Sequence, residues 1–266
     1  MNKFRLLDPT GPISVSRGLC ALAVMTKAPR AGQVKTRLVP PLTPSEAAEL
    51  NKCFLSDTAE AISHVTIDNA AGGIAVYTPV GAESAYDDLL PGDFSLLPQR
   101  GVGFGERLYF AAEDLFRCGF YSVCLIDSDS PIVPAKNFSK AAAALQRDGD
   151  RIVLGPSDDG GYYLIGLKKA HRQLFERIDW STERVFDQTM RCAREIGLEV
   201  ELLPFGYDVD DARSLRFRSW RERICRLLEK WPRGSRRREF GPLWGVHDAS
   251  SHAALPRLGL FLHVHT

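Results

Sequence analysis

The residues most able to do chemistry fall in three short stretches. In "TKAPRAGQVKTRL" four cations, Lys27, Arg30, Lys35 and Arg37, surround the single glycine Gly32 directly after an apolar run. A glycine-bearing loop between a strand and a helix presents backbone N–H groups and cations to an anion, and phosphate is the commonest anion needing that much charge. The loop lacks the glycine before the lysine that a Walker A loop requires, because Val34 precedes Lys35, and it lacks the G-x-G-x-x-G spacing. A solvated basic loop is the plain alternative. In "VCLIDSDSPIV" Asp127 and Asp129 alternate with Ser128 at the end of an apolar run. If the strand stays extended, both carboxylates face one side, as hard oxygen ligands suited to Mg²⁺ or Mn²⁺ carrying a substrate phosphate. Aspartates also cap turns, so this pair takes its weight from the strand that aims it.

Two further stretches complete the set. "GYDVDDARSL" offers Asp208 and Asp210 as additional metal support, with Asp211 as a helix N-cap, a role that Asp210 could equally fill. "LGPSDDGGYYLIGL" reads as a turn at Asp158 to Gly161, where the glycine pair permits close backbone approach before a strand resumes at Tyr162. Gly160, Gly161 and Tyr162 then become candidates for acceptor binding, and Asp159 for holding a hydroxyl or acting as a base. A plain β-turn between two strands accounts for the same residues.

These residues need a scaffold that brings loops together. Short apolar runs at 19–25, 73–78, 94–99, 121–127 and 151–156 read as buried strands. Helical patterns lie between them, at about 105–116, 134–146, 182–196 and 211–231. The clearest starts at Thr43, with Pro44 in the first turn and Glu46 placed to close a capping box. Alternating strands and helices predict one α/β, Rossmann-like domain over 19–231: a mainly parallel sheet with helices on both faces and ligands beyond the carboxyl ends of the strands. Residues 1–18 read as a flexible extension and 232–266, with Gly, Pro and clustered arginines, as a poorly ordered tail.

Composition excludes more than it assigns. A net charge of +1 and a pI near 7.6 give no global pull toward nucleic acid or membrane. The six cysteines stand singly in apolar segments, without C-x-x-C or zinc spacing, as buried thiols of a reducing cytoplasm would. No run matches the roughly 18 apolar residues of a membrane helix, and a cytoplasmic location is expected. In 211–231 the apolar positions Leu215, Trp220, Ile224, Leu227, Leu228 and Trp231 recur at helical spacing, which reads as a packed helix with a basic outer face rather than a nucleic-acid platform.

Taken in order and spacing, "TKAPRAGQVKTRL", "LTPSEAAELNKCFLSDT", "LIDSDSP", "VLGPSDDGGYYLIGL", "IDWSTERVFDQT" and "DVDD" resemble the bacterial glycosyltransferase-A-type transferases labelled radical-SAM/selenodomain-associated transferase, over about residues 19 to 220. More distantly the chain is similar to 2-phospho-L-lactate guanylyltransferase and other nucleotidyltransferases. The resemblance implies a nucleotide-diphospho-sugar transferase (GT-A) fold, with phosphates on Lys27, Arg30, Lys35 and Arg37, a divalent metal at Asp127 and Asp129, and the acceptor near Gly160 and Gly161. "ARSL" after "DVDD" departs from the family's usual helix start.

Two reactions suit this set. In glycosyl transfer from a nucleotide-diphospho-sugar to a small acceptor, the metal neutralises the leaving nucleoside diphosphate. In nucleotidyl transfer, a phosphorylated acceptor attacks a nucleoside triphosphate and pyrophosphate leaves, a reaction that the density of basic residues favours. The family label favours the first, which is the expectation carried forward. A nucleotide-binding protein without turnover is the third reading. Base, sugar, acceptor and oligomeric state are not legible.

Overall fold

The computed structural model describes residues 3–13, 15, 18–66, 71–207 and 209. One sheet of eight strands organises them: β1 (Arg5–Leu6), β2 (Cys20–Lys27), β3 (Ala71–Thr78), β4 (Ser95–Pro98), β5 (Ser122–Ile126), β6 (Arg151–Pro156), β7 (Tyr162–Leu167) and β8 (Glu199–Leu202), in the order β1-β4-β3-β2-β5-β7-β6-β8. Four helices accompany it, α1 (Pro44–Thr66), α2 (Phe104–Cys118), α3 (Ala135–Gln146) and α4 (Val185–Glu195). All neighbouring strands run parallel except at β7, which is antiparallel to both β5 and β6. The expected α/β class with a mainly parallel sheet holds.

Strand alternation divides the core between the two faces. Leu22 and Val24 of β2 join Leu55 and Ile62 of α1 and Phe138 and Leu145 of α3. Ala21 and Ala23 pack on the opposite face with Leu108, Ala112 and Leu115 of α2 and Ala193 of α4. A strand flanked on both sides must be apolar throughout, which is why "CALAV" carries no polar residue. The capping box at α1 is complete: the Thr43 N–H donates to Glu46 Oε2 at 2.8 Å and the Glu46 N–H to Thr43 Oγ1 at 3.3 Å.

Register decides what meets at the functional edge. Val24 pairs with Ile126, so the loops after β2 and β5 leave the sheet side by side. Because β7 runs backwards, its first residue Tyr162 lies opposite Pro156, and the five-residue β6–β7 turn emerges at that same edge. Three loops distant in sequence therefore converge.

The region before Leu19 differs from the expected flexible extension. Arg5–Leu6 pairs with β4, Phe4 and Leu7 are buried, and the Leu7 N–H donates to the Leu96 carbonyl at 2.8 Å. A two-residue edge strand is too short for an apolar period to reveal. The β8 sequence "EVEL" is likewise half polar, as edge strands are. The expected helix 211–231 and tail 232–266 lie outside the described residues. Among the described residues no helix is long and apolar enough to cross a membrane.

Candidate functional site

A cleft of about 820 Å³ opens at the convergence of the three loops. Its floor is the Asp127-Ser128-Asp129 segment leaving β5. The Asp127 N–H is fixed by the Tyr163 carbonyl of β7 at 3.0 Å, and Ser130 Oγ donates to Asp127 Oδ2 at 2.8 Å. Loss of water around the Asp127 carboxyl pushes its pKa up to about 8, and the neighbouring Asp129 charge adds to the rise, against the opposing pull of Ser130 and Lys35. Asp127 is only partly exposed at the cleft. At neutral pH the Asp127 carboxyl therefore keeps its proton unless another cation takes its place.

Lys35 supplies part of that compensation. Its ammonium lies 2.9 Å from Asp129 Oδ1 and donates to the Val209 carbonyl at 2.7 Å, with its side chain 3% exposed. The Val209 N–H in turn donates to the Asp129 carbonyl at 3.2 Å. Lys35 thus ties the β2 loop, the aspartate segment and residue 209 together. Its backbone is left-handed, with φ of 48°, a strained setting for a residue with a β-carbon. Ser181, also on the cleft wall, is left-handed at φ of 64°.

The β6–β7 turn forms the far side. Asp159 Oδ1 accepts from the Gly161 N–H at 2.9 Å and from Ser157 Oγ, so one carboxylate oxygen is occupied by the turn itself. Gly160 has φ of +84°, and a β-carbon there would collide with the backbone of Glu183. The glycine lets the turn dock against the 178–185 segment, where the Phe186 N–H donates to the Gly160 carbonyl at 2.9 Å.

Of the residues singled out in sequence, Lys35, Arg37, Asp127, Asp129, Asp159, Gly161 and Tyr162 line the cleft, with Gly160 buttressing the turn from behind. Lys27, which ends β2, and Arg30 and Gly32 on the loop after it do not line the cleft and are exposed. Charge pattern alone does not tell which cations face inward. Tyr162 is part of the cleft lining, and its hydroxyl is buried on the side of Thr189 of α4. Asp208 and Asp210 lie outside the described residues.

The cleft also contains residues that motif reasoning missed. Phe104, at the start of α2, and Trp180 form an edge-to-face pair with centroids 5.1 Å apart and planes at 72°. Glu183 and Asp158 add carboxylates. The sequence does hold a trace of Trp180 and Glu183, since "IDWSTERVFDQT" belongs to the resemblance, but nothing in that string separates a cleft aromatic from a core one.

The mixed α/β architecture, one mainly parallel sheet of eight strands, is of the nucleotide-diphospho-sugar transferase type of fold. Residues 62–182 match the model of an uncharacterised protein family conserved in bacteria, DUF2064. Among solved structures, the chain is similar to a Desulfovibrio desulfuricans G20 protein named as a candidate nucleotide-diphospho-sugar transferase, at 27% identity and TM-score 0.67, covering 80% of this chain and 98% of that one. It shares its fold with CMP:2-keto-3-deoxy-manno-octonic acid synthetase complexed with CTP, at 10% identity and TM-score 0.50, covering 80% and 99%. No curated protein matches the chain.

Proposed function

We propose that the protein is a divalent-metal-dependent transferase that passes a sugar from a nucleotide-diphospho-sugar to a small acceptor. The observation that carries this reading is the charge balance of the cleft. Among the described residues lining it, Lys35 and Arg37 face Asp127, Asp129, Asp158, Asp159 and Glu183. A pyrophosphate group entering so acidic a cleft meets net repulsion unless a cation comes with it.

The residues present fit such an ion. Asp127 and Asp129 are two close carboxylates whose mutual repulsion and burial already demand a positive charge, and Asp127 holds a proton where a metal could sit. Among the described residues no third carboxylate, histidine or cysteine converges with them. Two protein ligands, with phosphate oxygens and water for the rest, suit Mg²⁺ or Mn²⁺. When bound, the ion would neutralise charge on the departing diphosphate.

The chain's own residues divide the remaining work. Lys35 orients Asp129, and Arg37 lies within reach of the donor's phosphates. The acceptor hydroxyl attacks the anomeric carbon; the new C–O bond forms as the bond to the diphosphate oxygen breaks. Its proton passes to Asp159, whose Oδ2 is the oxygen not committed to the turn. Lys27 and Arg30, the extra cations that would favour a triphosphate, stand outside the cleft lining, which supports a diphosphate donor.

The test is a product assay. The full chain with Mn²⁺ is offered nucleotide-diphospho-sugars and, in parallel, nucleoside triphosphates with sugar phosphates as acceptors. Release of a nucleoside diphosphate from a sugar donor is expected. Release of pyrophosphate instead would replace this reading with nucleotidyl transfer, and no turnover with either donor class would leave a nucleotide-binding protein.

A further inference from the structure

One wall of the cleft is apolar, and the diphosphate chemistry does not use it. Phe104 is 54% exposed, although it opens a helix that buries Leu108, Ala112 and Leu115. Trp180 meets it edge to face while keeping part of its surface in the cleft. The indole is held in place from behind: a β-carbon at position 105 would lie 2.5 Å from Trp180 Nε1 and 2.5 Å from the Phe175 carbonyl, so Gly105 brings α2 hard against it.

The segment carrying Trp180 is also pinned at both ends. Gln188 of α4 accepts from the Asp179 N–H at 2.7 Å and donates to Asp179 Oδ2 at 2.8 Å, while Thr182 Oγ1 donates to the Asp179 carbonyl at 2.7 Å. Between these anchors Ser181 is kept left-handed. Strain of that kind persists only where surrounding contacts over-determine it, and it clusters at ligand clamps.

Chemistry beside the two rings narrows the occupant. Glu183 follows Trp180 by three residues, is exposed and lines the cleft, as does Asp158 on the facing turn. Aromatic faces next to acceptor-only carboxylates suit a ring with an apolar face and hydroxyls at its edge. The segment docks on the β6–β7 turn through Gly160.

We propose that Phe104 and Trp180 form a stacking platform for the apolar face of a pyranose ring, with Glu183 and Asp158 accepting its hydroxyls, so that the acceptor is itself a carbohydrate or glycoside. This inference rests on the glycosyl-transfer reading above and names its acceptor class.

Saturation-transfer NMR on the full chain, with Mn²⁺, tests it. The probes are methyl glucopyranoside, methyl galactopyranoside and methyl mannopyranoside; UDP, GDP and CDP are titrated separately by calorimetry. At least one pyranoside should show transfer strongest at its axial C–H protons. Trp180→Ala should weaken that pyranoside roughly tenfold, the scale of one lost ring contact, and Trp180→Phe should restore most of it. Nucleotide affinity should be unchanged in both variants, and thermal melts that match wild type keep a folding defect from imitating the loss. Nucleotide binding without any pyranoside would overturn the platform and leave the donor reading standing. Nucleotide affinity that is lost in Trp180→Ala by calorimetry would make the wall a nucleobase site, which also overturns it. Pyranoside binding with no metal-dependent nucleotide binding would keep the platform and remove the donor reading instead.

Discussion

Two aspartate pairs face one another across the cleft, built from the same residue type and set in opposite surroundings. Asp127 and Asp129 leave a buried central strand, crowd each other, and are balanced by the nearly buried ammonium of Lys35. Asp158 and Asp159 sit exposed on a hairpin turn, where Asp159 spends one oxygen on its own loop. The first pair is held at an electrostatic cost that a bound cation would relieve; the second is locally satisfied and keeps an oxygen for a proton. Burial, not the spacing of the aspartates, separates a metal-type pair from a turn-type pair.

That contrast can be broken most sharply at Asp129. Asp129→Ala should lower turnover by about 10³-fold, the scale of losing one charge-stabilising group at a reacting centre. It should also cost about 3 kcal/mol of stability by removing the carboxylate partner of the buried Lys35 ammonium. Steady-state kinetics and urea denaturation read the two effects separately.

Gly160→Ala attacks the other side. With φ of +84° and the Glu183 backbone in the way, the substitution should destabilise by about 3 kcal/mol. Turnover should fall with it, because the turn can no longer dock on the segment bearing Trp180.

Asp127 gives a prediction in pH. The unfolded chain releases this proton near pH ~4, whereas the folded protein holds it up to about pH 8. Between those values the native state binds the extra proton, so metal-free stability is full below about pH 4 and drains as pH rises toward 8. Asp127→Asn should flatten that fall in a series of thermal melts. Mn²⁺ should restore stability at pH 8 in the wild type and not in the variant.

The smallest structural effect belongs to the exposed pair. Asp159→Asn keeps the oxygen that caps the turn and should change stability by less than about 1 kcal/mol, yet it removes the proposed base and should slow turnover with little change in KM. Asp159→Ala should lose the turn contact as well, and the two variants compared by melting and kinetics separate the roles.

The strong regularities of this fold were readable in sequence. Apolar runs marked β2, β5 and β6, the Thr43–Glu46 box marked the start of α1, and the D-x-D after "VCLI" stood where the sheet delivers it. What could not be read depends on contacts between distant segments. Lys35 and Arg37 look no different from Lys27 and Arg30 until the left-handed turn at Lys35 directs its side chain inward. At Tyr162 a strand pattern shows which residues alternate, not that the hydroxyl lies buried on the side of α4. Nothing in the sequence pattern marks Phe104 or Trp180 as cleft residues; their pairing across distant segments does.

The most direct measurement is isothermal calorimetry of the full chain against nucleoside diphosphates and triphosphates, with and without Mn²⁺, repeated on Asp129→Ala. The account predicts metal-dependent binding of a diphosphate in the wild type, tighter than that of the matching triphosphate, and its loss in the variant. Binding that is indifferent to Mn²⁺ and survives Asp129→Ala would contradict the assignment of the buried pair as the centre of the site.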